Sequence, residues 1–191
     1  MKNRVMMFSM LMALVMIAIT AAPVLSSQVV KMNFDQIVTN ADLIVTGKVI
    51  ALETKRDDNP VTGEKSIYTF ITLQVSDVLK GDLEQETYTF RMFGGVLDNE
   101  NVAEEVQGAP KFKKGQQVAL FLESDPKLYI PIVGLNQGKF SLIPDPKTGS
   151  VKVFNHEGKP VTEALLKGEA SASMEAASYE VFKKAVENKL K

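Results

Sequence analysis

Apolar and polar positions alternate with a period of two through much of the chain, most clearly between Ser66 and Leu79. There Ile67, Ile71, Leu73 and Val75, with Thr69 among them, oppose Tyr68, Phe70, Thr72, Gln74 and Ser76, the pattern of a strand with two unlike faces. Leu43–Glu53 is apolar on both faces, with Ile44, Ile50 and Leu52 against Val45, Val49 and Ala51. That predicts a strand covered on both sides or bending across a barrel. Gly47 interrupts it, and a glycine inside a strand usually marks a bulge or a sharp coil. Thr87–Phe93, Gln117–Glu123, Tyr129–Leu135, Lys139–Ile143 and Val151–Phe154 complete the predicted strands. Pro131 assigns Tyr129–Leu135 to an edge or a bulge. The turn chemistry of Pro144–Gly149 joins the last two strands as a hairpin.

Helical spacing is confined to the ends. Asn33 can cap a short turn in which Asp35 suits the first turn and Phe34, Ile37 and Val38 share a face. Thr162–Leu166 predicts one further turn, followed by a small polar linker, Glu169–Ser173. From Met174, the residues Ala177, Val181, Phe182, Ala185 and Leu190 follow the three-and-four spacing of an amphipathic helix. Lys183, Lys184 and Lys189 suit its C-terminal dipole. Docking on the strands is the expected fate of that stripe, and a partner-binding or membrane-surface helix is the alternative. Two long stretches lack periodicity: Lys55–Lys65, and Gly94 to about Gly115. Such loops are either functional or mobile.

The start of the chain differs. Lys2 and Arg4 precede an apolar run, Val5–Ile19, interrupted by Ser9, and Pro23, Ser26 and Ser27 close it. A basic flank, an apolar stretch and a small-residue exit form the pattern of a secretory signal peptide, with cleavage expected after Ser26 or Ser27. An uncleaved membrane anchor is the competing reading, because the run approaches the roughly 20 residues that span a bilayer. The chain has no cysteine. That excludes disulfides, thiol nucleophiles, Cys-based zinc sites and acylation at a post-cleavage cysteine. Without residues 1–26 there remain 20 basic and 23 acidic side chains, net −3, spread evenly. Nucleic-acid binding needs a basic face against the phosphates, and none is present in the pattern.

Three stretches in order carry a resemblance. They are Asn40–Val49 (NADLIVTGKV), Tyr68–Gly81 ending in Val-Leu-Lys-Gly, and Pro110–Gly115 ahead of Val118–Leu122. Together they resemble the netrin-like domain, the OB-type barrel contained in tissue inhibitors of metalloproteinases. With Gly94-Gly95 and Val133–Phe140, the pattern is also similar to small secreted bacterial proteins of no assigned function, over about Phe34 to Ile143. The resemblance implies a barrel. Those inhibitors place an N-terminal cysteine on the protease's metal and hold the domain with disulfides. A chain without cysteine cannot use that mechanism, so the resemblance carries a fold and no activity.

Catalytic signals are sparse. His156, the only histidine, falls in Asn155–Gly158, a turn by composition. A Ser–His–Asp triad needs an activated serine and an orienting acid beside it, and no Gly-x-Ser-x-Gly elbow supplies the serine. One histidine also argues against zinc or copper. Calcium takes roughly six to eight oxygens, and two loops concentrate them. One holds Asp57, Asp58 and Asn59; the other holds Asp98, Asn99, Glu100, Glu104 and Glu105. Neither has EF-hand order, and solvated acidic loops are the plainer reading. Nothing marks out a carboxylate pair for glycoside hydrolysis, and Gly94-Gly95 lacks the lysine and helix of a phosphate-binding loop. Tyr68 with Phe70, and Tyr88 with Phe90, share faces. Turned outward they make a stacking surface of the kind OB barrels use; turned inward they are core, the commoner fate of large aromatics.

The expectation is a mostly-β chain. It comprises a signal peptide over 1–26, an OB-like (netrin-like) closed or partly open β-barrel over 27–160 with a short N-terminal helical turn, and a helical segment over 161–191 packed on the barrel. The expected function is an exported, periplasmic or extracellular, non-enzymatic binding module with no cofactor and no metal. Its partner is a protein or an envelope component, met through Asp57, Asp58, Asn59, Gly94, Gly95, Asp98 and Asn99. The rivals are an inhibitor of a secreted protease that does not use an N-terminal cysteine, and a structural envelope component anchored through an uncleaved start.

Overall fold

The computed structural model describes residues 30–169 and 174–191. The expected signal peptide and its cleavage point lie outside the described residues, as do residues 170–173 of the expected linker. In chain order the strands are β1 (Leu43–Asp58), β2 (Lys65–Lys80), β3 (Thr87–Phe93), β4 (Gly95–Leu97), β5 (Val102–Glu104), β6 (Gln117–Leu122), β7 (Lys139–Pro144) and β8 (Val151–Phe154). The helices are α1 (Phe34–Asn40), α2 (Glu163–Lys167) and α3 (Tyr179–Lys189). Six strands form one antiparallel sheet in the order β3-β2-β1-β6-β7-β8, and β4 and β5 form a separate hairpin. Among the described residues no helix is long and apolar enough to cross a membrane.

β1 joins the two halves of the sheet. It pairs with β6 over Leu43–Lys48, while β2 follows it from Ile44 to Asp58. Register shifts at Ile44/Val45, Thr46/Gly47 and Val49/Ala51 bend this pair, because each extra residue adds local twist. A Cβ on Gly47 would overlap the carbonyl oxygen of Gln74 and lie 3.1 Å from its carbonyl carbon. The glycine is there because β2's backbone passes where a side chain would sit, which is the bulge its position predicts.

The bend gives the sheet two apolar sides. On one, Val45, Val49, Ile71, Leu73, Val118 and Leu120 gather around Phe90. On the other, Ile44, Phe121 and Phe140 meet Phe34 of α1 and Phe182 of α3. α1 begins with a reciprocal capping box: Asn33 Oδ1 accepts from Gln36 N, and Gln36 Oε1 accepts from Asn33 N. α3 starts at Tyr179, not at Met174 as its spacing suggests. Ala177 is held in an extended ladder, accepting from Val153 N and donating to Val161 O, and Ser178 then caps the helix. Met174 is 82% exposed. Asp77 Oδ2 accepts from Tyr179 Oη at 3.0 Å and Lys183 Nζ at 2.6 Å, tying α3 to β2. The C-terminal helix therefore docks on the sheet.

The closed barrel is not formed: β3 and β8 end the sheet, and among the described residues no ladder joins them. Residues 160 and 178 bridge β8 along its outer edge. β3's outer edge is met at Phe93, whose N–H donates to Tyr129 O at 2.7 Å, and residues 106–114 form a strap against its apolar side, in which Pro110 has no N–H to give a ladder. Phe112 meets Phe90 of β3 edge-on, with ring centroids 5.8 Å apart. Lys139 of β7 holds its Nζ 4.7 Å over the same Phe112 ring and donates to Lys111 O at 2.7 Å. A strap of irregular chain thus spans the opening that a ladder would have closed.

Tyr129–Leu135 is not a strand. Pro131 interrupts the donors, Gly134 and Leu135 turn at φ 62° and 68°, and Ile132 alone bridges to Leu122. Just beyond, the buried Gln137 clips the first described residues. Its Oε1 accepts from Met32 N, and its Nε2 donates to Val30 O, each at 2.8 Å.

Candidate binding arm

β6 stops pairing with β1 at Lys48, yet β1 and β2 continue together to Asp58 and Lys65. The predicted Lys55–Lys65 loop is therefore strand at both ends, over Lys55–Asp58 and at Lys65, and the true turn is Asn59–Glu64. Lys55, Arg56, Asp57 and Asp58 conceal this because the hairpin has left the core here and needs no apolar alternation. Asn59 is buried and builds the turn. Its Oδ1 accepts from Val61 N at 2.9 Å, its Nδ2 donates to Ser66 Oγ at 3.3 Å, and its N–H donates to Glu64 O at 2.8 Å. Asp58 pairs with Lys65 at 2.7 Å in solvent.

Gly94 and Gly95 fold the β4–β5 hairpin back onto this arm. A Cβ on Gly94 (φ 93°) would lie 2.6 Å from Glu104 O, and one on Gly95 (φ 145°) would overlap Thr69 Oγ1. Both positions need glycine for conformation and for space. Thr69 Oγ1 donates to Gly94 O at 2.8 Å. Arg56 Nη2 donates to Glu100 Oε2 at 2.7 Å, tying the second hairpin to the first. That hydrogen bond raises the Arg56 pKa and lowers the Glu100 pKa. Asp98 and Asn99 are exposed at the second tip. So the seven residues singled out in the sequence fall on two hairpins that pack together. Gly94, Gly95 and Asn59 are consumed by backbone geometry, and Asp98 and Asn99 face solvent.

The root of the arm carries residues that sequence patterning did not single out. Arg91 of β3 pairs with Asp57 and lays its guanidinium 4.3 Å over the Tyr68 ring. The Asp58 backbone N–H and Arg91 hold Asp57 below the usual carboxylate range, against an opposing effect of burial. Tyr68 Oη is buried with no hydrogen-bond partner, and burial pushes its pKa up. Tyr68 also meets Phe93 edge-on at 5.7 Å, and Phe93 meets Tyr129 at 4.7 Å. The two aromatic pairs of the sequence reading lie on opposite faces, since Phe70 opposes Arg91 while Ile71 opposes Phe90. Tyr68 and Phe90 are buried, and Phe70 lies half-buried with Lys55 Nζ 4.4 Å above its ring.

Most of the arm's charges pair with one another, though Asp98 faces solvent and Glu104 Oε2 is buried with no hydrogen-bond partner, and Val61 and Val96 are 59% and 58% exposed. His156 lies apart in sequence and structure, in the Asn155–Lys159 turn whose backbone Asn155 Oδ1 ties at Glu157 N and Lys159 N. Burial lowers the His156 pKa, and Glu157 works against that. Among the described residues, no three His, Cys, Asp or Glu side chains are grouped to hold a metal ion. No protein-family model matches the chain, and no curated protein matches it.

Proposed function

We propose that this chain is an exported, non-enzymatic binding module of OB-like, netrin-like type that engages a protein or envelope partner through the β1–β2 and β4–β5 hairpins. The observation that carries the reading is the paired hairpin arm itself. Two tips reach past the part of β1 that β6 covers, lock together through Gly95 and Arg56–Glu100, and present exposed valines among mostly paired charges. Exposed apolar side chains on two interlocked hairpins suit a protein contact better than an enclosed small-molecule site. The OB-like assignment draws on the curled β3-β2-β1-β6-β7 arrangement around one apolar side and on the strap across its opening. Export draws on the signal-like pattern of residues 1–26.

The test is capture from native envelope with the chain from Ser27 as bait, compared with Val61→Asp and Val96→Asp variants. Both variants should melt like the parent and lose the specific partner. An unchanged set of captured proteins would sink the reading. So would a hydrolase activity that disappears in His156→Ala. A secreted protease recovered by the parent and inhibited by it would make inhibition the form that binding takes.

A further inference from the structure

An open groove of about 490 Å³ lies along the clipped N-terminal residues. Ile130 and Ile132 are buried in it, Leu135 and Val106 flank them, and Val30 and Tyr129 are exposed at 80% and 43%. The volume falls within the range of ligand sites. Glu123 is the one charged residue in the lining.

Glu123 is unlike the acids near it. Asp42 Oδ2 already accepts from Ser124 N at 2.8 Å and Ser124 Oγ at 2.6 Å. Asp125 Oδ1 accepts from Lys127 N at 2.9 Å. The Glu123 carboxylate has no hydrogen bond and no ion pair with any described residue, while burial, Asp42 and Asp125 all raise its pKa. A half-buried carboxylate among other acids gains most from a cation brought by something else. The apolar lining specifies what carries that cation.

We propose that this groove binds an extended apolar peptide segment bearing one basic side chain, with its ammonium or guanidinium on Glu123 and its apolar residues over Ile130, Ile132 and Leu135. This site is separate from the hairpin tips, so it stands or falls independently of the arm. The peptide lies along Val30–Met32, whose position the Gln137 clip fixes.

The test uses three fluorescein-labelled octapeptides of leucines and serines that differ in one central residue: lysine, glutamine or glutamate. Fluorescence anisotropy is read against the chain from Ser27. The lysine peptide should bind about tenfold tighter than the glutamate peptide, the gap expected for one charge-assisted contact. Glu123→Gln should narrow the difference to about twofold, and Glu123→Lys should invert it. Leu135→Asp should weaken all three peptides while the thermal melt is kept. Equal affinity for the three peptides overturns the proposal, as does an unchanged preference in Glu123→Gln. Absence of binding up to about 1 mM peptide also overturns it. Sedimentation is run in parallel, and a dimer that excludes the peptides would assign the groove to a second copy instead.

Discussion

Replacing Phe182 by alanine tests whether α3 is part of the core or a detachable partner helix. The side chain is fully buried, with ring centroids 5.1 Å from Phe140, 5.6 Å from Phe34 and 6.1 Å from Phe121. Truncating a core phenylalanine costs about 3–5 kcal/mol, the cavity included. Three aromatic neighbours place this site in the upper half of that range, since each well-placed pair adds about 0.5–1.5 kcal/mol beyond burial. Against a total of about 5–15 kcal/mol, that is a large share of the fold's stability. At about 2–4 °C per kcal/mol, a loss of about 4 kcal/mol lowers Tm by roughly 8–16 °C. The chain has no tryptophan, so far-UV circular dichroism during urea unfolding is the suitable probe, and the midpoint should fall with little change in slope. Phe182→Leu keeps most of the volume and should cost under about 2 kcal/mol. A loss below about 1 kcal/mol for Phe182→Ala would refute the reasoning and return α3 to the partner-binding reading.

Three further outcomes follow from the same structure. Gly47→Ala puts a Cβ against the Gln74 carbonyl and should cost about 1–3 kcal/mol in urea unfolding; an unchanged midpoint would mean the β1–β2 bulge yields freely. Asp57 has a lowered native pKa. Its contribution is therefore complete above the unfolded carboxylate pKa and is lost as pH falls through the native value, and Asp57→Asn should flatten that acid limb of the stability profile. A parallel acid limb in both proteins would refute this. Lys139 is buried with one backbone acceptor and a lowered pKa from burial. Lys139→Met should change stability by no more than about 1 kcal/mol, because removing a desolvated charge offsets the lost bond. It should also speed tryptic cleavage after Lys111, Lys113 and Lys114, read by mass spectrometry; unaltered cleavage would show that the strap does not depend on Lys139.

Sequence patterning was informative where a residue's fate depends on its own strand. Thr87–Phe93 and the Asn33 cap are found where alternation and capping chemistry place them, and Leu43–Glu53 carries apolar residues to two cores over Ile44–Val49 only, Ala51 and Leu52 being exposed. It failed where partners distant in the chain decide. The β1–β2 ladder runs on through Lys55–Asp58 because each strand is the other's template, which polar side chains do not reveal. Tyr129–Leu135 alternates like a strand but pairs with β6 only through the bridge at Ile132, because Pro131 has no N–H to give and the chain turns at Gly134 and Leu135. α3 begins late because β8 claims Ala177 for its own edge. In the arm, Asp57 and Arg56 find their partners 34 and 44 residues away. Nothing local distinguishes those ion pairs from the solvated acids and bases elsewhere.

The Gln137 clip bears on how this chain can be processed. One buried amide supplies both a donor and an acceptor to the backbone at Val30 and Met32, as a neighbouring strand would. Trimming at Ser26 or Ser27 leaves both bonds in place. Trimming past Met32 strands the buried Oε1 acceptor, at about 1–3 kcal/mol, and leaves Nε2 only its longer bond to Gly134 O at 3.4 Å. A peptidase working inward from the amino end therefore meets rising resistance at Val30, and the fold itself marks the furthest point to which its own start can be shortened.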